Sequence, residues 1–279
     1  MKKLILLVLA LIPLGMQAQG SEDGKIFAGA DWNWRDLGKG AQVGYAQLPL
    51  FGSMQSISVI RYPMRRVRTF IANDSAAASD STEALALRYG AIAAINASYF
   101  NVRTLYSTTF VKDDGKQEGW TTPRELYRVD GLMTIKGKRY LRMFPCDTLS
   151  YPDAVKGCSE AIAAGPVLLQ EGREARDTWP VKDKFYDKRH PRTLVGTTAD
   201  GWAYLIVIDG RFPGQGIGTT IHETAEIARM FGLKEALNLD GGGSSVLWTR
   251  RYGVISNPYD NKRFDPYGQR VVPNIIYIK

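Results

Sequence analysis

The chain has 279 residues, 44% of them hydrophobic and 11% aromatic, with 36 lysines and arginines against 28 aspartates and glutamates for a formal charge of +8. A chain of this size buries a substantial core, and a moderate basic excess favours anionic partners by steering. The arginines are scattered and no lysine-rich tract occurs, which argues against nucleic acid.

Residues 1–18 read as a secretory signal: Lys2 and Lys3, an apolar stretch at 4–12, and a small-residue exit ending at Ala18. This predicts a secreted or periplasmic protein of the cell envelope, and no later stretch has transmembrane length. Residues 19–40 are polar apart from Trp32 and Trp34 and read as an N-terminal surface arm; residues 41–279 read as a single domain. Cys146 and Cys158 fit either a short-loop disulfide or two lone thiols. His190 and His222 are the only histidines, and there is no CxxC or HExxH, so the pattern argues against a transition-metal centre. No cofactor is expected, and the composition leaves an oxygen-ligated calcium open.

Alternation predicts strands over 56–62 and 68–71. Asp80-Ser81-Thr82-Glu83 then reads as a capping box opening a helix that Gly90 ends. Apolar runs at 91–95 and 161–169 read as buried strands ending at functional loops, whereas 112–125 and 177–188 read as long, charged surface loops. Residues 192–198 and 202–208 flank Asp200-Gly201, a strong hairpin signal. Thr220-Ile221-His222-Glu223 is a second capping box, with Ile221, Ala225 and Ala228 at helical spacing until Gly232.

Asn238-Leu239-Asp240-Gly241-Gly242-Gly243-Ser244-Ser245 follows, between two apolar runs. Three successive glycines are kept mainly where backbone approaches a ligand or takes positive φ, and their N–H groups can form an anion-binding nest beside Asp240. The bland alternative is a glycine-rich turn. The unit from Tyr89-Gly90 to Asn96-Ala97-Ser98 matches that from Phe231-Gly232 to Asn238-Leu239-Asp240 in its order of capped helix, glycine stop and strand ending in Asn, which suggests an internal duplication. The predicted fold class is α+β, with antiparallel-rich mixed twisted sheets and a few packed helices.

A serine hydrolase fits poorly because Gly242-Gly243-Ser244-Ser245-Val246 lacks the closing glycine of G-x-S-x-G. Dinucleotide and P-loop readings also fail, since Gly216-Ile217-Gly218-Thr219-Thr220-Ile221 misses the third glycine. The assembled motifs resemble the phosphodiester glycosidase family. They are Ile95-Asn96-Ala97-Ser98-Tyr99-Phe100, Ala163-Ala164-Gly165-Pro166, Pro191-Arg192-Thr193 with Gly196, Asp209-Gly210-Arg211, Glu223-Thr224-Ala225-Glu226, the run from Asn238 to Ser245, and Arg270-Val271-Val272-Pro273-Asn274. Ala97 and Ser98 stand where the family usually has two glycines, which implies a narrower backbone approach and an altered choice of substrate.

The resemblance implies hydrolysis of a sugar-1-phosphodiester, for example an N-acetylglucosamine-1-phosphate diester on a glycan or cell-surface polymer. Arg192, Arg211 and Arg270, with the amides of Gly241, Gly242 and Gly243, are the expected phosphate binders, because a guanidinium fork donates two hydrogen bonds at once. Asp240 is the first-choice catalytic carboxylate, with Glu223 as partner and Asp209 as a third acid or a strut for Arg211. Asn96, Ser244 and Ser245 are expected to read the sugar. The competing class is a non-catalytic exported glycan-binding or exopolysaccharide-assembly protein.

Overall fold

The computed structural model describes residues 21–175 and 184–279. The segment read as a signal lies outside them, as does most of the loop at 177–188. Among the described residues every strand pair is antiparallel, so the sheets are not mixed. The largest sheet has eight strands in the spatial order Arg35–Gly38, Ala41–Leu50, Ser53–Pro63, Trp202–Ile208, Arg192–Thr197, Glu235–Asn238, Val167–Gln170, Arg173–Glu174. A five-stranded sheet runs Tyr140–Pro145, Gly131–Lys136, Glu160–Ala164, Val111–Asp113, Lys116–Gly119. A second five-stranded sheet runs Gly253–Val254, Leu247–Thr249, Ala93–Asn96, Asn274–Ile278, Thr69–Asn73.

The central core lies where the three sheets meet. Val195, Leu205 and Leu237 from the first sheet, Met133 and Ile162 from the second, and Ile95, Leu247 and Ile276 from the third belong to one cluster of buried side chains. Successive residues point to opposite faces of a strand, so Leu194 and Ile206 enter a different cluster on the other side of the large sheet. That side is covered by helices α1 (Glu22–Ala28) and α5 (Ile221–Met230), the last of five helices among the described residues. With both faces covered, Arg192–Thr197 is buried throughout, its polar Arg192, Thr193 and Thr197 included. Helix α2 (Thr82–Arg88) backs the third sheet through Leu85 and Ala86 against Trp248 and Tyr277. Helices α3 (Tyr151–Ala154) and α4 (Lys184–Asp187) are single turns.

Several local expectations change. The described part of the 19–40 segment is docked rather than a free arm: Phe27 and Trp32 are buried and contact each other and Phe231 edge-on or tilted. The charged segment at 112–125 contains a hairpin, with Asp114 and Gly115 both at positive φ in the turn. The apolar run at 161–169 is two strands in two different sheets, divided at Gly165-Pro166. At the start of α2 the cap is Ser81, whose hydroxyl accepts from Ala84 N at 3.2 Å. Glu83 turns away instead, accepting from Trp248 Nε1 at 3.1 Å and Gln269 Nε2 at 3.0 Å. The box at α5 forms as expected between Thr220 and Glu223. Cys146 and Cys158 are unbonded thiols.

The two units matched in sequence are matched in structure. Each helix ends in a glycine of positive φ, Gly90 at 67° and Gly232 at 73°. Ala91 N donates to Ala86 O at 2.9 Å and Leu233 N to Ala228 O at 3.1 Å, so both helices close with the same six-residue bond. Both then enter strands that end in Asn, Ala93–Asn96 and Glu235–Asn238. These strands belong to different sheets, and their ends are brought together. Asp240 N donates to Ala97 O at 2.9 Å, and Asn96 Nδ2 donates to Asp240 O at 2.7 Å.

The strands Arg192–Thr197 and Glu235–Asn238 admit no side chain at Gly196, where an added Cβ would lie 2.5 Å from Leu233 Cδ1 and 2.8 Å from Glu235 O. Backbone cannot retreat there without opening the ladder. Gly196→Ala is expected to lower stability by about 1–3 kcal/mol, the usual cost of overpacking, read as a lower urea midpoint with unchanged slope.

Candidate active site

The run from Asn238 to Ser245 is the corner at which the chain leaves the eight-stranded sheet for the sheet holding Leu247–Thr249. Residues Gly242–Ser244 form one 3₁₀ turn, and each glycine there has its own reason. A Cβ on Gly241 would sit 2.6 Å from Pro191 O, and Gly242 N donates to that same carbonyl at 2.9 Å. Gly242 has φ of 63° and lies under the Arg211 guanidinium, 3.3 Å from a built Cβ to Nη2. A Cβ on Gly243 would collide with the Arg270–Asp260 pair. The Gly242 amide is thus committed to protein, and the corner does not offer three free N–H groups.

Asp240, the three glycines, Arg192, Arg211 and Arg270 line one cleft of about 240 Å³. Arg128, His190, Tyr99 and Phe185 complete its wall. Sequence reasoning missed Arg128, which sits in a charged segment without a motif. It noted His190 only as one of the two histidines, although the neighbouring Pro191-Arg192 was a usable signal.

The four arginines are neutralised unequally. Arg128 donates from Nε to Glu125 at 2.7 Å and lies 3.9 Å from the Tyr99 ring centroid. Arg270 grips Asp260 through two bonds of 2.8 Å. Arg192, although 2% exposed, meets carbonyls and an aromatic ring but no carboxylate among the described residues: Nε donates to Thr219 O at 2.9 Å, Nη2 to Phe185 O at 2.9 Å and Lys188 O at 3.0 Å, and the guanidinium lies 4.9 Å from the Phe185 ring centroid. Burial, with Arg211 nearby, pushes its pKa down to about 10, so it remains a cation at neutral pH. Arg211 has no carboxylate within ion-pair distance among the described residues and stacks 5.0 Å from the Tyr259 ring centroid. Its φ of 70° is unusual for a side-chain-bearing residue, the kind of local backbone cost that clusters at functional sites.

Asp240 is the only carboxylate among the described lining residues. Burial pushes its pKa up to about 6, against the lowering pull of the Ser244 hydroxyl and then of Arg128 and Arg270. Ser244 Oγ exerts that pull without a regular hydrogen bond; it and Ser245 Oγ are buried and unpartnered among the described residues. Burial, then Arg192 and Arg211, pushes His190 down to about 4, so its imidazole is neutral above mildly acidic pH, with Nδ1 buried and unpartnered among the described residues. No group of three or more His, Cys, Asp or Glu residues poised to hold a metal occurs among the described residues.

Five expected site residues are absent from the cleft lining: Ser244 and Ser245, expected to read the sugar, are buried, and Glu223, Asp209 and Asn96 are engaged elsewhere. Glu223 is outside the cleft: it caps α5 and accepts from Arg189 Nε at 3.0 Å, so its charge is spent on the helix start. Asp209 is 1% exposed and accepts from Ser56 Oγ at 2.7 Å and from Asn257 N and Nδ2 at 2.8 Å each. It fastens the end of Trp202–Ile208 to the 257 loop and forms no ion pair with Arg211. Asn96 is 1% exposed and fully used, since Oδ1 accepts from Thr193 Oγ1 at 2.8 Å and Val246 N at 3.2 Å while Nδ2 holds Asp240 O. It positions Asp240 rather than facing a ligand.

A sequence family described as phosphodiester glycosidase matches residues 89–279. No curated protein sequence matches the chain. Among solved structures, the catalytic domain of zebrafish N-acetylglucosamine-1-phosphodiester alpha-N-acetylglucosaminidase, auto-inhibited by its pro-peptide, is similar with a TM-score of 0.68 at 18% identity, over 85% of this chain and 82% of that one. A hypothetical protein from Synechocystis has a TM-score of 0.63 at 16% identity, over 86% of this chain and 62% of that one. A putative exported protein from Burkholderia pseudomallei has a TM-score of 0.59 at 15% identity, over 81% and 74%. At these identities the likeness establishes the fold alone.

Asp240 also carries a stability signature. Its folded pKa lies above the unfolded value near 3.9, so the folded state binds the extra proton between about pH 4 and pH 6. Stability from this group is therefore present below pH 4 and lost as pH rises through 6. Asp240→Asn removes that loss, and is expected to be about 3 kcal/mol more stable than the parent at pH 8 and close to it near pH 4, measured by urea unfolding at both pH values.

Proposed function

Because the chain belongs to the phosphodiester glycosidase family, we propose that it is an exported hydrolase that cleaves a sugar-1-phosphodiester on a glycan or cell-surface polymer. The observation that carries this reading is the composition of the cleft. One carboxylate faces four guanidiniums, two of which, Arg192 and Arg211, have no acidic partner within ion-pair distance among the described residues. A phosphodiester anion supplies the missing charge, and a planar fork is suited to its oxygens. Export rests on the reading of residues 1–18. N-acetylglucosamine as the sugar is suggested by the name of the zebrafish structural neighbour.

Hydrolysis adds water across the bond between the anomeric carbon and the bridging phosphate oxygen. The bond's electron pair leaves with the phosphate, giving a phosphomonoester dianion and the free sugar. Arg192 and Arg211 stabilise the charge that grows on that leaving group, and they act in a cleft where burial strengthens each interaction. A phosphate leaves well without protonation, so a second carboxylate acting as general acid is not required; the absence of Glu223 and Asp209 from the lining is consistent with this. Asp240, ionised above about pH 6, faces the positive charge developing at the anomeric carbon and takes the proton of the attacking water. Neutral His190 supplies a hydrogen bond to the substrate without adding charge.

Turnover of a chromogenic N-acetylglucosamine-1-phosphodiester tests the proposal. Release of sugar and phosphomonoester is expected, with kcat/KM falling below about pH 6 as Asp240 takes up its proton. Asp240→Asn is expected to lower kcat by about 10²–10⁴-fold while retaining the fold by circular dichroism. Arg211→Ala is expected to lower kcat/KM by about tenfold or more, the scale of a charge-assisted contact. Saturable binding of the diester without product would make the protein a phosphoglycan receptor instead.

A further inference from the structure

Arg128 lines a second depression besides the cleft. This groove, of about 520 Å³, is walled by Arg103, Arg124, Thr108, Glu125 and Tyr127 together with Arg128 itself. Among the described residues, Arg128 is the one that lines both spaces. Arg128 is held in place on both sides, by the Tyr99 ring 3.9 Å from its guanidinium carbon and by Glu125 at 2.7 Å.

The groove carries uncompensated positive charge. Glu125 is 6% exposed and is already engaged by Arg128 and by the Thr108 hydroxyl at 3.1 Å. Arg103 and Arg124 are exposed, and neither forms an ion pair among the described residues. Both are presented by ordered turns. Asn101 Oδ1 accepts from Arg103 N at 2.9 Å and Thr104 N at 3.3 Å, and Arg124 sits in the 3₁₀ turn Pro123–Glu125, tied by Glu125 N to Thr122 O at 2.9 Å. Tyr127, 40% exposed, offers a ring face beside these charges.

We infer that this groove is a subsite for the group on the far side of the scissile phosphate, and that it selects an alcohol moiety bearing a second phosphate over a neutral one. The inference rests on the sugar-1-phosphodiester reading and names the class of substrate: a phosphodiester with at least one further anionic group beyond the bond cleaved, as in a repeating phosphoglycan. Guanidiniums line both spaces, Arg211 and Arg192 in the cleft, Arg124 and Arg103 in the groove and Arg128 in both, so each space can take a phosphate of one chain. A neutral alcohol moiety would leave the groove's two exposed arginines without a counter-charge.

A matched pair of substrates tests this: N-acetylglucosamine-1-phosphodiesters of methanol and of 3-phosphopropanol. The native protein is expected to show a kcat/KM about tenfold higher for the phosphorylated alcohol, the scale of two partly exposed charge contacts, with the difference in KM. The double substitution Arg103→Ala, Arg124→Ala is expected to abolish the preference while leaving kcat/KM for the methyl diester unchanged. Equal kcat/KM for the two diesters in the native protein, or a preference surviving the double substitution, would overturn the inference while leaving the hydrolase reading intact. If neither diester turns over, the hydrolase reading fails and the groove is judged by affinity for inorganic tripolyphosphate. That affinity is expected to weaken about tenfold in the double variant by the same charge arithmetic, and an unchanged affinity would overturn the subsite.

Discussion

One backbone contact sets the geometry of the cleft: the Pro191 carbonyl against Gly241 and Gly242. The Gly242 amide donates to it at 2.9 Å, and Gly241 leaves only 2.6 Å where a Cβ would stand. That approach brings the start of the Arg192–Thr197 strand against the corner following Glu235–Asn238, and so sets Arg192 and Asp240 in the wall of the same cleft. Asn96 completes the joint by tying the third sheet to both, through Thr193 Oγ1 and Asp240 O. A side chain at Gly241 would part the two segments. The cleft therefore exists because two strand ends can touch backbone to backbone.

The charges gathered there work against stability. A buried aspartate with its pKa near 6 and a buried arginine with its pKa near 10 are each held where burial disfavours the ionised form. Arg211 adds positive φ to a guanidinium with no acidic neighbour in pairing range among the described residues. By contrast Arg270, Arg128 and Arg189 are each neutralised by a carboxylate. The protein thus separates arginines that brace the walls from arginines left to meet an anion. Glu223 and Asp209 belong to the bracing set, one fixing the N-terminus of α5 and the other stitching Ser56 to Asn257.

The sequence was most legible where structure is local. Asp200-Gly201 announced the hairpin of Arg192–Thr197 with Trp202–Ile208, and Thr220 with Glu223 announced α5, because turn and cap chemistry act over three or four residues. The same Asp-Gly signal at Asp114-Gly115 was hidden within a charged stretch, and a hairpin was read as a loop. The tri-glycine corner marked the cleft, but its three glycines turned out to face a carbonyl, a guanidinium and an ion pair, partners distant in sequence that no local pattern reveals. The same limit explains Asn96, Glu223 and Asp209: their residue types suit a site, and only the long-range bonds show them fully engaged in holding it. Arg128 enters the cleft from a segment without a motif, carried there by its stack on Tyr99 and its pair with Glu125.

A crystal structure of the protein with a bound non-hydrolysable N-acetylglucosamine-1-phosphonate monoester tests the central claim most directly. The phosphonyl group is predicted to lie between the guanidiniums of Arg192 and Arg211, with the anomeric carbon turned toward the Asp240 carboxylate. An anion seated away from both arginines, or a sugar whose anomeric carbon faces away from Asp240, would contradict it.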